Sequence, residues 1–415
     1  MFAKSPQAIA QSASQHRRSR TPCSLTCIVL SSMVVLCWQL LVTVEACGQE
    51  SRTHLYAGKT ALPRLAPNLE SALFRPDVST NDKPRYKVIP IGPPPGRQSS
   101  FVTLSRSVNN EGTVAGYGYN GVSPEDLFLT SRPFLWRRGE LSELPLLDGW
   151  PAAFAFGVND HEQVVGSANK IDQNSNIIQT AVLWDHGKLL NLGASFPGAV
   201  TSFASDVNNR GRVVGAFFDT NFTEVPFTTR GGTIELLPLL PGMTDAEPSR
   251  INDLGEIVGQ QLSANGGVPC LWYRTRTGYV AVNLGTFGGT VGFAIGINEV
   301  GFPIGYSTTV DQHARAFLWF GSLQNLGILP GDTDSAAYDI NDEFQIVGLS
   351  FTATSTRIFL WENGHMTDLH NLVPPDTPLF NDNVGQINDR GEIAVDTMHA
   401  DGTQAGFLLV PNDDE

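Results

Sequence analysis

The body of this chain is nearly without cysteine. Of the five cysteines in 415 residues, Cys23, Cys27, Cys37 and Cys47 lie in or beside one N-terminal apolar segment, and only Cys270 lies beyond it. That excludes a disulfide framework and a cysteine zinc site for the body, so a large core has to hold it together. Histidine is scarce as well, and His161, His186, His313, His365, His370 and His399 show no metal-ligand spacing. No HExxH, GxSxG, P-loop or dinucleotide fingerprint occurs, and neither does the S-x-D-x-G-x-T-W box of sialidase-like chains. Charged residues make up only 16% against 41% hydrophobic, a balance that suits a folded chain better than a disordered one.

Long hydrophobic runs are missing too, with one exception. A basic stretch carrying Lys4, Arg17, Arg18 and Arg20 precedes "CIVLSSMVVLCWQLLVTV" and then "EAC" at Glu45–Cys47. This is the order of a secretory signal, and Val44 and Ala46 suit cleavage after Ala46. Two other outcomes stay open: retention as a membrane anchor, given the length of the run, and lipidation at Cys47, against which Glu45 stands. Residues 1–46 are thus expected to direct export, to the extracellular space or the cell envelope. Residues 47–85 lack any period and read as a linker or loosely attached arm. Removing residues 1–46 takes away four basic side chains and one acidic one. The remainder has 23 Lys and Arg against 40 Asp and Glu, a net charge of −17. Such a surface repels nucleic acid, and membrane contact is expected only through the N-terminal segment if it is kept.

What the chain does have is repetition. "VNNRGRVVG", "INDLGEIVG", "INDEFQIVG" and "INDRGEIAV" are near-copies, and seven copies can be anchored on Asn109, Asn159, Asn208, Asn252, Asn298, Asn341 and Asn388. The spacing of 43 to 50 residues falls in the range of four-stranded propeller blades. Each unit holds four strand-length apolar pieces, A to D, bounded by Gly, Asn, Asp or Pro, and none sustains a helical period. The repeated Asn is a turn residue between A and B: its side chain can bond its own downstream amides, while a following Gly takes positive φ. The same logic marks C–D turns at "RRGE", "DHGK", "RGGT" and "ENGH". A Gly at the end of the phrase (Gly116, Gly166, Gly215, Gly259, Gly305, Gly348; Val395 in the last unit) is expected to allow close packing near a crowded axis.

The last unit ends without a D piece, while an orphan strand, "YKVIPIG" at Tyr86–Gly92, precedes the first A piece. One N-terminal strand completing the last blade accounts for both and removes open sheet edges. The expected fold is therefore an all-β, seven-bladed propeller over residues 86–411, followed by an acidic tail at 412–415.

The motifs "AFLW" (Ala316–Trp319), "NLGTFGG" (Asn283–Gly289) and "NLGILPGDTDSAAYDIN" (Asn325–Asn341) resemble those of the HAF family of extracellular repeat proteins over about Tyr86 to Pro411. Unit 3 departs from the pattern, with "PFTTR" (Pro226–Arg230) in place of "AFLW". The resemblance implies secretion and repeats, and no agreed activity.

Function on a repeat scaffold sits in variable loops. The B–C and D–A connections, of which Tyr117–Arg132 and Ser167–Thr180 read as the largest B–C loops, share one face, and the candidate site is placed there. Its D–A segments are acidic: Asp148, Asp245 and Glu247, Asp332 and Asp334, Asp376 and Asp382. Such carboxylates could hold Ca²⁺, which takes six to eight oxygens, or supply the acid and base of glycoside chemistry; as turn residues they need do neither. No other cofactor is implied. Trp136, Trp184, Trp272, Trp319 and Trp361 recur at one C-strand position and read as core, whereas Trp150 falls outside the pattern and could be an exposed stacking residue. Asn221-Phe-Thr223 is a glycosylation sequon, relevant in a eukaryotic host. The expected function is an exported, non-enzymatic propeller binding a protein or glycan through this face. The alternative is a carbohydrate-active hydrolase or lyase using the same carboxylates.

Overall fold

The computed structural model describes residues 84–102, 105–121, 124–173, 176–377, 383–399 and 401–412. The signal segment, residues 47–83 of the arm, Asp382 and residues 413–415 of the tail lie outside them. Seven four-stranded antiparallel sheets follow one another around a ring. Their innermost A strands are Ser99–Phe101, Ala152–Val158, Thr201–Val207, Asp245–Ile251, Gly288–Ile297, Asp334–Ile340 and Asn383–Ile387. Six blades run A-B-C-D in chain order. In blade 7 the fourth place is taken by Tyr86–Ile91, paired in unbroken register with the C strand from Tyr86↔Pro411 to Ile91↔Gly406. Tyr86 and Ile91 are fully buried there, so the N-terminal strand both closes the ring and enters the core.

The C–D hairpins have the chemistry their sequences announce. Arg138 and Gly139, His186 and Gly187, Gly231 and Gly232, and Asn363 and Gly364 all hold positive φ at both central positions, as a type I′ turn demands. The strand-C tryptophans Trp136, Trp184, Trp272 and Trp361 are buried between blades, and "PFTTR" forms a regular C strand, Glu224–Arg230, with Thr229 Oγ1 accepting the Val213 N–H at 2.9 Å.

Three expectations are corrected. The glycines at the end of the repeated phrase lie inside strand B, and what crowds them is the neighbouring A strand of the same blade. A bulge in that strand pushes a carbonyl onto the glycine Cα: a Cβ on Gly166 would stand 1.9 Å from Phe154 O, and one on Gly215 2.1 Å from Phe203 O. In blade 7 the register shift spans Asn383 to Gln386 instead, and Val395 is accommodated. Second, most B–C connections are tight turns. In blade 2 the pairing runs out to Ile171↔Ile177, so that much of Ser167–Thr180 is hairpin rather than loop. Third, the long B–C connection of blade 1 carries a short helix, Pro124–Thr130, from which Phe128 is buried against Phe154.

Candidate functional site

On the loop face the acidic candidates do not meet at one centre. Asp148 is exposed and Asp376 likewise. Trp150 is half-buried, packed on blade 2, with the Lys170 ammonium 4.3 Å from its ring centre, so its outer side is covered by a cation. Asp245 and Asp334 each stand at the start of an A strand and accept the first amide of the preceding blade's C strand: Glu224 N–H to Asp245 Oδ1 at 3.0 Å, Ala314 N–H to Asp334 Oδ1 at 2.7 Å. They are inter-blade clamps. Asp334 also faces His313 at 3.3 Å, and Asp332 pairs with Arg357 at 2.8 Å. Among the described residues, no group of three or more His, Cys, Asp or Glu side chains is placed to hold a metal ion.

Glu247 is different, because it is only 4% exposed and has an acidic neighbour the sequence did not single out. Side chains alternate along a strand, so Glu247 projects from the same side as Asp245, toward the start of blade 3's C strand and the buried Glu224. Glu247 Oε2 accepts a hydrogen bond from Gln260 at 3.1 Å, while Glu224 Oε1 is buried without a partner. Burial pushes the Glu247 carboxyl up to about 8, and burial together with the Glu247 and Asp245 charges pushes Glu224 well above the usual carboxylate range. This is a carboxyl pair, but one sealed inside a blade seam rather than facing a cleft.

The opposite face holds a feature the sequence reading missed. Each repeated Asn accepts, through Oδ1, the amide four residues on, as at Thr113, Arg212 and Gln345, which is the expected turn. Its Nδ2–H also donates to the backbone carbonyl of the same Asn in the next blade. The chain of bonds runs Asn109 to Asn159, Asn208, Asn252, Asn298, Asn341 and Asn388, and Asn388 donates back to Asn109, at 2.8 to 3.3 Å. A second closed ring lies one residue on. There the side-chain oxygens of Asp160, Asn209, Asp253, Glu299, Asp342, Asp389 and Asn110 each accept the backbone N–H of the corresponding residue in the preceding blade, at 2.5 to 3.0 Å. The signal was present in the sequence: the residue after the anchor Asn is Asn, Asp or Glu in all seven units.

Inside these rings two arginines cross the axis. Arg106 of blade 1 reaches Glu299 at 3.1 Å, the Ile251 carbonyl at 3.1 Å and Asp206 at 3.8 Å, so it ties blade 1 to blades 3, 4 and 5. Arg250 of blade 4 is 2% exposed and reaches Asp339 at 3.1 Å and Gln386 at 2.6 Å, in blades 6 and 7. Burial works against the Arg106 charge, but the surrounding carboxylates outweigh it and hold the guanidinium protonated; burial also raises Glu299 and Asp339 against the arginines beside them. A cavity of about 40 Å³, room for about one water, remains at the mouth, lined by Arg106, Asp160, Glu299, Asp339, Asp342 and Asp389 among others. These two arginines thus brace the axis, cross-linking blades 1, 3, 4, 5, 6 and 7.

No protein-family model matches the chain, and no curated protein matches it significantly. Solved structures do. The β-propeller domain of the Trilobed protease from Pyrococcus furiosus, described as having an open velcro topology, aligns with a TM-score of 0.50 at 8% identity over 77% of this chain and 96% of that one. A puromycin-hydrolyzing peptidase from Mycobacterium tuberculosis aligns with a TM-score of 0.50 at 14% identity over 75% of this chain. The alignment covers 52% of that peptidase, about half its length. These likenesses establish the propeller fold.

Proposed function

We propose that this chain is an exported, non-enzymatic propeller that binds a protein or glycan through its loop face, over blades 3 to 5. The observation that carries the reading is the distribution of exposed apolar side chains. Phe222 in the B–C turn of blade 3, Leu239 in the following D–A segment, and Val291 and Val310 of blade 5 are all exposed on that face, Val310 by 77%. Large apolar groups left in water at several loop tips of one sector are what a binding surface offers. The braced axis and the sealed carboxyl pair argue against the alternative of a carbohydrate-active enzyme, which needs two carboxyls facing a cleft. The HAF-like repeats and the N-terminal signal pattern support export, and no cofactor enters this reading.

The test is a glycan array and a pull-down against envelope and extracellular proteins, run with the wild type, with Phe222→Asp/Val310→Asp, and with Leu254→Asp/Val300→Asp on the opposite face. Binding lost only in the first variant supports the reading. Binding that survives it, or that is lost only in the second, overturns it.

A further inference from the structure

We propose that Glu224 and Glu247 form a proton-held latch between blades 3 and 4, so that this seam of the loop face loosens in alkaline solution. The argument starts from placement. Glu224 opens the C strand of blade 3 and Glu247 lies two residues into the A strand of blade 4, and both are more than nine-tenths buried. The strands are clamped here by Asp245, whose Oδ1 accepts the Glu224 amide. The groups facing the pair are Asp245, the amide of Gln260 and, from blade 5, the partly buried Tyr306. None of them is a cation.

Two buried carboxylates without a counter-charge cannot both ionise at low cost, so the pair is stable only while it holds at least one proton. Glu224 Oε1 is buried without a hydrogen-bond partner, so nothing there compensates a negative charge on that carboxyl. The direction follows by linkage. Both groups bind protons more tightly in the folded protein than in the unfolded chain, so their stabilisation is present in acid. It is lost as the pH rises from the ordinary carboxylate range through about 8, the value for Glu247. Phe222 precedes Glu224 by two residues, which places the latch beside the proposed binding sector without depending on it.

The test is thermal unfolding of the full chain at pH 5.5, 7 and 9 for the wild type, Glu247→Gln and Glu224→Gln, with no ligand present. The expected result is a wild-type Tm that falls several degrees between pH 7 and 9, and a markedly flatter profile in either variant. Parallel profiles in wild type and variants would overturn the latch. Should a variant fail to fold, infrared spectroscopy of the wild type decides: a carboxylic-acid C=O band persisting at pH 7 and vanishing by pH 9 supports the latch, and its absence at pH 7 refutes it. Neither readout involves the ligand, so failure of the latch and failure of the binding reading are separable.

Discussion

Replacing Asn208 by Ala isolates the contribution of the asparagine ring. Asn208 is fully buried; Oδ1 accepts the amides of Arg210 at 3.1 Å and Arg212 at 2.9 Å, and Nδ2 donates to the Asn252 carbonyl of the next blade at 2.9 Å. The two accepted bonds resemble a helix cap, whose loss costs ~1 kcal/mol. The cross-blade bond, made in a buried setting, adds ~1 to 1.5 kcal/mol more. The expected total is ~2 to 2.5 kcal/mol. Asp219 supplies the control, because its Oδ1 accepts the amides of Asn221 and Thr223 in the same local pattern on the surface of the same blade. Asp219→Ala should therefore cost clearly less than Asn208→Ala, because it has no cross-blade bond to lose.

A folded body of roughly 330 residues has an unfolding entropy near 0.7 kcal/mol per degree, so the Tm shift should be ~3 to 4 °C for Asn208→Ala and visibly smaller for Asp219→Ala. Calorimetry on the three proteins measures this directly. Asn208→Asp sharpens the test: it keeps the accepting oxygen but sets a carboxylate against the Asn252 carbonyl. It should be less stable than Asn208→Ala at pH 7 and recover on acidification, when the carboxyl can donate again. Equal losses for Asn208→Ala and Asp219→Ala would refute the claim that the ring contributes beyond its turns.

Gly166→Ala should destabilise by ~3 kcal/mol or more, because the added Cβ meets the Phe154 carbonyl at 1.9 Å and the obstacle is backbone; denaturant titration measures it. Glu162→Gly should be neutral to stabilising by up to ~1 kcal/mol, since Glu162 holds φ +57 in the A–B turn where Gly112, Gly211 and Gly255 stand in other blades; its exposed pair with Arg137 offsets little of that gain, and Tm checks it. Arg106→Met should cost ~3 kcal/mol or more, by leaving Glu299 and Asp206 uncompensated at the axis, and the loss should shrink as the pH is lowered. Deleting residues 84–91 should leave blade 7 with an open edge and give oligomers or insoluble protein, read by sedimentation.

How much of this was legible in the sequence follows from the range of the interactions involved. Strand positions, the type I′ turns and the blade count are local or periodic properties, and "ENGH" or "NDxG" states them within four residues. The closure by Tyr86–Ile91 was legible by subtraction, since a missing D strand and an orphan strand occur once each. Loop lengths were less so: Asn169 and Gln179 look like linker residues, yet they pair across a hairpin and share a hydrogen-bond network with Ser167. The acidic residues of the D–A segments invited a ligand reading because composition does not say where a carboxylate points. Asp245 and Asp334 turn out to point at backbone amides of the preceding blade, a partner about 20 residues earlier that no motif encodes.

The rings and the axis show the same limit from the other side. Residue by residue, Asn208 is a turn former and Asn209 a polar residue after it; their second role exists only because seven such turns are brought around one axis. That second role explains why the side chain after the anchor Asn can vary among Asn, Asp and Glu, since each offers an oxygen to the neighbouring amide, while the anchor itself stays Asn in all seven units, because of these three side chains only that of Asn both accepts within its turn and donates to the next blade. Arg106 and Arg250 have no repeat equivalents at all. Arg106 stands where Phe156 and Tyr338 occur in other blades, and Arg250 where Gly157 and Asp339 occur, so the periodic reading had to pass over them. Their carboxylate partners, Asp206, Glu299 and Asp339, come from three different blades, and a brace of that kind breaks the sevenfold pattern in order to fill its centre.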